Sequence, residues 1–152
     1  MNRIQYILTA KTQYDIQSPF LFELYNEVLN SRLAKEDCKR LGITSGDRYA
    51  ELRYKLCDHY AAENGERRTG IGERESDSLA EKARLDVDDI LCSQEVGLIG
   101  MVRLPHQDRQ SEERWSSLVQ MSEVTLSVDL YYVGIVFTYN KLSKQHILLR
   151  CS

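Results

Sequence analysis

The stretch VTLSVDLYYVGIVFTYNKLSKQHILLR, residues 124–150, decides how this chain folds. In its first seven residues Val124, Leu126, Val128 and Leu130 alternate with Thr125, Ser127 and Asp129, the two-residue period of a strand whose successive side chains point to opposite faces. Such a pattern requires a sheet with one face buried. GIVFTYN (134–140) and HILLR (146–150) follow as two further strands. Upstream, VGLIGMVRL (96–104) is an apolar run of strand length, and DRQSEERWSSLVQ (108–120) reads as a helix with Trp115, Leu118 and Val119 on its inner side.

Ahead of this segment the chain reads as helices. Ile4, Ile7 and Leu8 fall on one face of a short N-terminal helix that stops before QSP, because Pro19 disfavours helical geometry in the residue before it. Ser18 stands where a cap is needed, and Pro19 takes the first helical position, where its missing N–H costs nothing. Leu21, Leu24, Tyr25, Val28 and Leu29 then repeat at helical spacing. A further piece, Ala34 to Leu41, ends at Gly42, the residue type that tolerates left-handed geometry past a helix end. From Asp47 to Glu63 the positions Tyr49, Leu52, Leu56, Cys57, Tyr60 and Ala61 keep a helical period, closed by Gly65. Leu79, Ala83, Val87, Ile90 and Leu91 fit one more amphipathic helix, although Leu85 and Val87 also alternate with Asp86 and Asp88 as in a strand. The expected product is α/β, with N-terminal helices packed on a small mixed sheet of about four strands. It is a single domain, 1–152, in which 1–63 is helical, 64–78 a flexible linker and 79–152 strand-rich.

With 152 residues, the chain has the length of one domain that buries roughly two thirds of its extended surface on folding. A hydrophobic fraction of 42% and a charged fraction of 28% are those of a globular protein. The formal charge of -3, without a basic face on any helix, excludes nucleic acid as an expected partner. No apolar run approaches the ~20 residues of a membrane helix, and MNRIQYILTAKTQYD is too short and polar at its centre for a secretory signal, so a cytoplasmic location with no membrane contact is expected. Cys38, Cys57, Cys92 and Cys151 are scattered, with no C-x-x-C pair and no His at zinc-finger spacing. They read as reduced thiols, with neither disulfide nor metal.

Both ends carry the motifs of a known group. KTQYDIQSPFLFELYNEVL (11–29) is similar to the N-terminal segment of Bacteroidetes-type class I S-adenosylmethionine-dependent methyltransferases, in which His-Ser-Pro-Phe opens a helix of the same apolar pattern. Ser18, Pro19 and Phe20 match, and Gln17 stands in place of the His. From Trp115 to the C-terminus the chain resembles that group's last helix and closing strands, including the Asp-Leu-aromatic-aromatic-x-Gly turn at Asp129 to Gly134 and the Lys-Gln-His ending at Lys144 to His146. The resemblance covers about half the chain and implies descent more directly than activity.

The segment between the matched ends departs from the family. Its members carry a Gly-rich turn after a first strand, which lets backbone N–H groups approach the cofactor, and an acidic residue for the ribose. In GERRTGIGERESDS (65–78), Gly70-Ile71-Gly72 offers half of G-x-G-x-x-G, but Glu75 occupies the third glycine position and the helical DHYAAEN precedes it. A phosphate loop needs a strand-to-helix turn with the helix N-terminus facing the anion, so this stretch reads as a linker. With Trp115 aligned to the family's Trp, Arg103-Leu104-Pro105-His106 falls where the group has Asp-Asp-Ile-His at the end of a central strand. Asp88-Asp89-Ile90 is the other possible match to that acidic motif, but it leaves Trp115 too far downstream.

His106, just past a strand end, and Asp108 beside it are therefore the candidate ligand contacts, because strand termini feeding loops are where α/β sheets hold ligands. His59 and His146 have no carboxylate or thiol at the spacing of a triad or metal site. Tyr49, Tyr54, Tyr60, Tyr131, Tyr132 and Tyr139 read as amphipathic packing or as an aromatic protein-binding surface. The expected function is that of a non-catalytic, degenerate methyltransferase relative acting through protein contacts, with no cofactor and no catalytic or metal-binding residue. Two alternatives stay open. One is a compact methyltransferase that binds S-adenosylmethionine through an atypical loop at Gly97 and Gly100; the other is a homodimer formed by pairing an exposed sheet edge.

Overall fold

A computed structural model describes residues 3–9, 18–44, 46–64 and 85–149. Ser18 begins the N-terminal layer as expected: its hydroxyl accepts the Leu21 N–H, and Pro19 opens helix α2, Pro19–Leu24. This helix widens into a π-helical turn, Tyr25–Leu29, closed by the Asn30 N–H donating to the Tyr25 carbonyl at 2.8 Å. The wider turn keeps Leu24, Tyr25, Val28 and Leu29 all buried. Ahead of it, α1 spans Arg3–Thr9. Ile4, expected on its inner face, is 71% exposed, and Tyr6 is buried instead. The Tyr6 hydroxyl donates to the Leu149 carbonyl and lies 3.3 Å from that of Asp129, which turns the Tyr6 side of α1 toward the sheet.

Helix α3, Lys35–Leu41, ends at Gly42 with φ +73, the left-handed stop read from the sequence. Helix α4, Arg48–His59, is capped by Asp47, whose carboxylate accepts the Ala50 N–H. It stops earlier than Gly65: Tyr60 and Ala61 lie past its end, Ala61 has φ +49, and Glu63–Asn64 forms a short strand, β1. Leu21, Leu24, Leu52 and Leu56 are each no more than 2% exposed, and each such burial contributes about 1.5–3 kcal/mol.

The remaining strands are β2 (Asp89–Ser93), β3 (Gly97–Arg103), β4 (Leu126–Asp129), β5 (Val133–Phe137) and β6 (Gln145–Leu148), with helix α5 (Arg109–Val119) between β3 and β4. They form a six-stranded mixed sheet of order β1-β2-β3-β5-β4-β6, two strands larger than expected. All neighbours are antiparallel except β4 and β6. Because β3 and β4 are both antiparallel to β5, they run in the same direction; α5 joins them and β5 lies between. The helix expected over 79–91 is corrected in its described part: Ile90 and Leu91 belong to β2, whose partners are Gly100 and Ile99. Residues 79–84 and the expected linker from Gly65 to Ser78 lie outside the described residues, while Asn64 belongs to β1 and pairs with Leu91.

The sheet has two buried faces where the alternation of VTLSVDL suggested one. Leu126, Val128, Ile135 and Phe137 pack toward α2 and α4. On the other face Val102 and Val136 meet Trp115 and Leu118 of α5. Ser127 and Asp129, polar by period, are each only 1% exposed because α5 covers them. Among the described residues no helix is long and apolar enough to cross a membrane.

Candidate functional site

At the carboxyl end of β3 the chain turns sharply. Leu104 has φ +46 and its N–H donates to the Tyr132 carbonyl at 3.0 Å, which ties this turn to the one after β4. Asp108 then caps α5, accepting the Ser111 N–H at 2.8 Å. Between these two fixed points His106 is carried over the end of β4. Its Nε2 lies 2.5 Å from Asp129 Oδ2 and its Nδ1 3.0 Å from Glu112 Oε1. The side chains of His106 and Asp129 are 7% and 1% exposed, that of Glu112 35%. The other Asp129 oxygen accepts the Tyr131 N–H at 2.9 Å, and the imidazole stacks on the Tyr131 ring with centroids 5.5 Å apart.

Burial by itself lowers a histidine pKa, but hydrogen bonds and charge from Asp129 and then Glu112 outweigh it and raise that of His106 above its ordinary value. A carboxylate at each nitrogen favours the charged form of the ring, in which both N–H groups donate. Asp108 plays a different part. It is exposed, and the Ser111 backbone N–H holds its carboxyl below the usual range. Of the two residues singled out from the sequence, one is thus a buried side chain held between two carboxylates and the other a helix cap. Asp129 and Glu112 were not singled out, although Asp129 heads the Asp-Leu-aromatic-aromatic-x-Gly motif.

The motif residues explain one another physically. A methyl group at Gly134 would sit 2.5 Å from the Trp115 ring, so the glycine ending the motif leaves room for the tryptophan at the centre of α5. Gly100 is confined in the same way: a Cβ there would meet Val136 and Val87 at 2.8 Å. The side of β3 next to Gly100 is therefore filled by side chains. Gly97, with φ +76, turns β2 into β3. The acids of Asp88-Asp89 are also engaged. Asp88 accepts the Arg103 backbone N–H at 2.7 Å and pairs with Arg114, while Asp89 accepts the Tyr49 hydroxyl and lies 3.6 Å from Arg53.

Beside the His106 cluster, where β3 and β4 end, a cleft of about 720 Å³ opens between these turns, α1 and the start of α4. Tyr6, Tyr49, Tyr131 and Tyr132 line its walls. Among the described residues its charged groups are Arg3, Arg48, Arg103 and Asp47. The Arg103 guanidinium lies 3.8 Å above the Tyr49 ring and that of Arg48 4.9 Å above Tyr132. His106 does not reach the cleft; it supports Tyr131, which does. Burial and the Asp89 carboxylate push the Tyr49 hydroxyl well above the usual tyrosine range, so it stays protonated.

Cys38, Cys57 and Cys92 are half-buried thiols outside any disulfide among the described residues, burial raising that of Cys57; Cys151 lies outside the described residues. Among the described residues no group of three or more His, Cys, Asp or Glu is arranged to hold a metal ion. Glu112 and Asp129 sit on opposite sides of the His106 ring rather than converging on one point. Comparison of the chain with protein-family models, with curated proteins and with solved structures gives no match.

Proposed function

We propose that the chain is a non-catalytic relative of class I S-adenosylmethionine-dependent methyltransferases, retaining their closing helix and strands and acting through contacts with other proteins. The observation that carries this reading is the state of His106. It is the one residue retained from the strand-end motif, and both its ring nitrogens are committed to carboxylates. With a carboxylate on each ring nitrogen and the side chain outside the cleft, neither nitrogen is turned toward a ligand to take its proton. Arg103 and Leu104 stand where the family's acidic pair would bind a metal or act as base. Further support comes from the matched segment itself: Trp115 to Leu149 forms a continuous unit of helix and three strands in which the motif residues touch each other.

The enzyme reading finds less support. A cofactor crevice forms beside neighbouring parallel strands joined by a crossover helix, whereas β5 separates the strands that α5 joins. The space beside Gly100 is taken by Val87 and Val136. For contacts, the outer edge of β6 is unpaired among the described strands and carries exposed Gln145 and His146, a place where another chain can add a strand. Calorimetric titration with S-adenosylmethionine is expected to give no heat of binding. Micromolar affinity, with amide shifts around His106, would overturn the proposal, as would methyl transfer by the purified protein. Light scattering after size exclusion distinguishes self-pairing at β6 from pairing with a different chain.

A further inference from the structure

We propose that the cleft at the ends of β3 and β4 binds a small aromatic anion, a planar ring bearing a phosphate or carboxylate. The proposal does not depend on the descent of the chain. At about 720 Å³ the cleft has the size of a small-molecule site. Among the described residues its walls carry the guanidinium groups of Arg3, Arg48 and Arg103 and the carboxylate of Asp47, with Asp89 behind them on the Tyr49 hydroxyl. Cationic groups thus gather here on a chain whose formal charge is -3.

The manner in which the cations are held matters more than their number. The Arg103 guanidinium carbon lies 3.8 Å over the Tyr49 ring centroid, and that of Arg48 4.9 Å over Tyr132. Contact with the ring positions the Arg103 group while leaving it its N–H fork, the donor set that recognises oxyanions in pairs. Among the described residues neither Arg3 nor the Arg103 guanidinium has a carboxylate partner. The Asp47 carboxylate is directed to the Ala50 N–H at the start of α4. Tyr6 and Tyr131, with ring centroids 5.2 Å apart, supply an aromatic wall for a flat ligand.

The walls are also built rather than incidental. Leu104 and Tyr131, with φ +46 and +72, are two of the three non-glycine residues in left-handed geometry among the described residues, and both line the cleft. Such backbone is costly and persists only where neighbours enforce it. Here the enforcing contacts are the Leu104 to Tyr132 hydrogen bond, the Asp129 carboxylate on the Tyr131 N–H, and the His106 ring stacked on Tyr131. His106 is thus a positioning residue for the cleft.

The test is a titration of the isotope-labelled full chain, followed by amide chemical shifts, with phenyl phosphate, benzoate, inorganic phosphate and phenol in separate arms. One or both aromatic anions should bind saturably and shift the Leu104 and Tyr131 amides, the stronger arm distinguishing phosphate from carboxylate. Inorganic phosphate and phenol, each carrying half of the recognised chemistry, should bind at least about tenfold more weakly, and Arg103→Gln should weaken the aromatic anion by at least about tenfold. If Arg103→Gln fails to fold, Arg3→Gln, at the exposed start of α1, reads the same charge. The proposal is overturned if neither aromatic anion gives saturable shifts, if phenol binds as well as phenyl phosphate, or if the folded arginine variant keeps full affinity. S-adenosylmethionine carries a sulfonium and an ammonium against one carboxylate, so it is not a ligand of this class. Its binding bears on the proposed function and not on this cleft.

Discussion

Replacing His106 with alanine puts the central electrostatic argument at risk. The substitution leaves the Asp129 carboxylate, 1% exposed, with the Tyr131 N–H as its remaining protein donor. Breaking a buried ion pair from one side costs about 3–5 kcal/mol. The retained N–H and the entry of water into the vacated space place His106→Ala at the lower end, about 3 kcal/mol. In a chain of this size that is a fall of about 6–12 °C in Tm. The pH dependence gives a second readout. A group whose folded pKa is raised contributes stability that is complete below its unfolded value, about 6.5 for His, and is lost as pH rises through the raised folded value. The wild type should therefore lose stability as pH climbs above about 6.5, and His106→Ala should lack that decline. Asp129→Ala in the same background completes a double-mutant cycle, and the double variant should lose less than the sum of the singles because the buried carboxylate is removed together with its partner. Urea unfolding followed by circular dichroism at several pH values measures all of this. A cost below about 1 kcal/mol, additivity of the two changes, or an unaltered pH profile would show that His106 and Asp129 are not coupled in the folded chain.

The packing of the closing motif and the first cap give two further checks. Gly134→Ala drives a methyl group to 2.5 Å from the Trp115 ring and should cost about 3 kcal/mol, the upper end for overpacking. Trp115 is the only tryptophan in the chain, so its fluorescence reports the displacement; an unchanged emission and midpoint would show that the ring does not occupy that space. Ser18→Ala removes a 3.4 Å cap bond and should cost about 0.5–1 kcal/mol, with Ser18→Asp restoring it; equal urea midpoints for all three would dismiss the cap.

The sequence by itself determined most of the local structure. Ser18-Pro19, Gly42 and Asp47 mark helix ends through the hydrogen-bonding and φ preferences of single residues, and the closing strands are written in a two-residue period. It also pointed to the turn after β3 and to His106. Local pattern failed where tertiary contact overrides it: Ile4 faces out because Tyr6 finds carbonyl oxygens in the β4 and C-terminal segment, and Ile90 and Leu91 become a strand because β3 offers them an edge. The burial of Ser127 and Asp129, the pairing of His106 with two carboxylates and the cleft arise only in the tertiary structure. Their partners are far away along the chain, 23 residues between His106 and Asp129 and 123 between Tyr6 and Asp129. A carboxylate sets a histidine's charge through distance and burial, and neither quantity exists until α5 and the turns close over the end of the sheet.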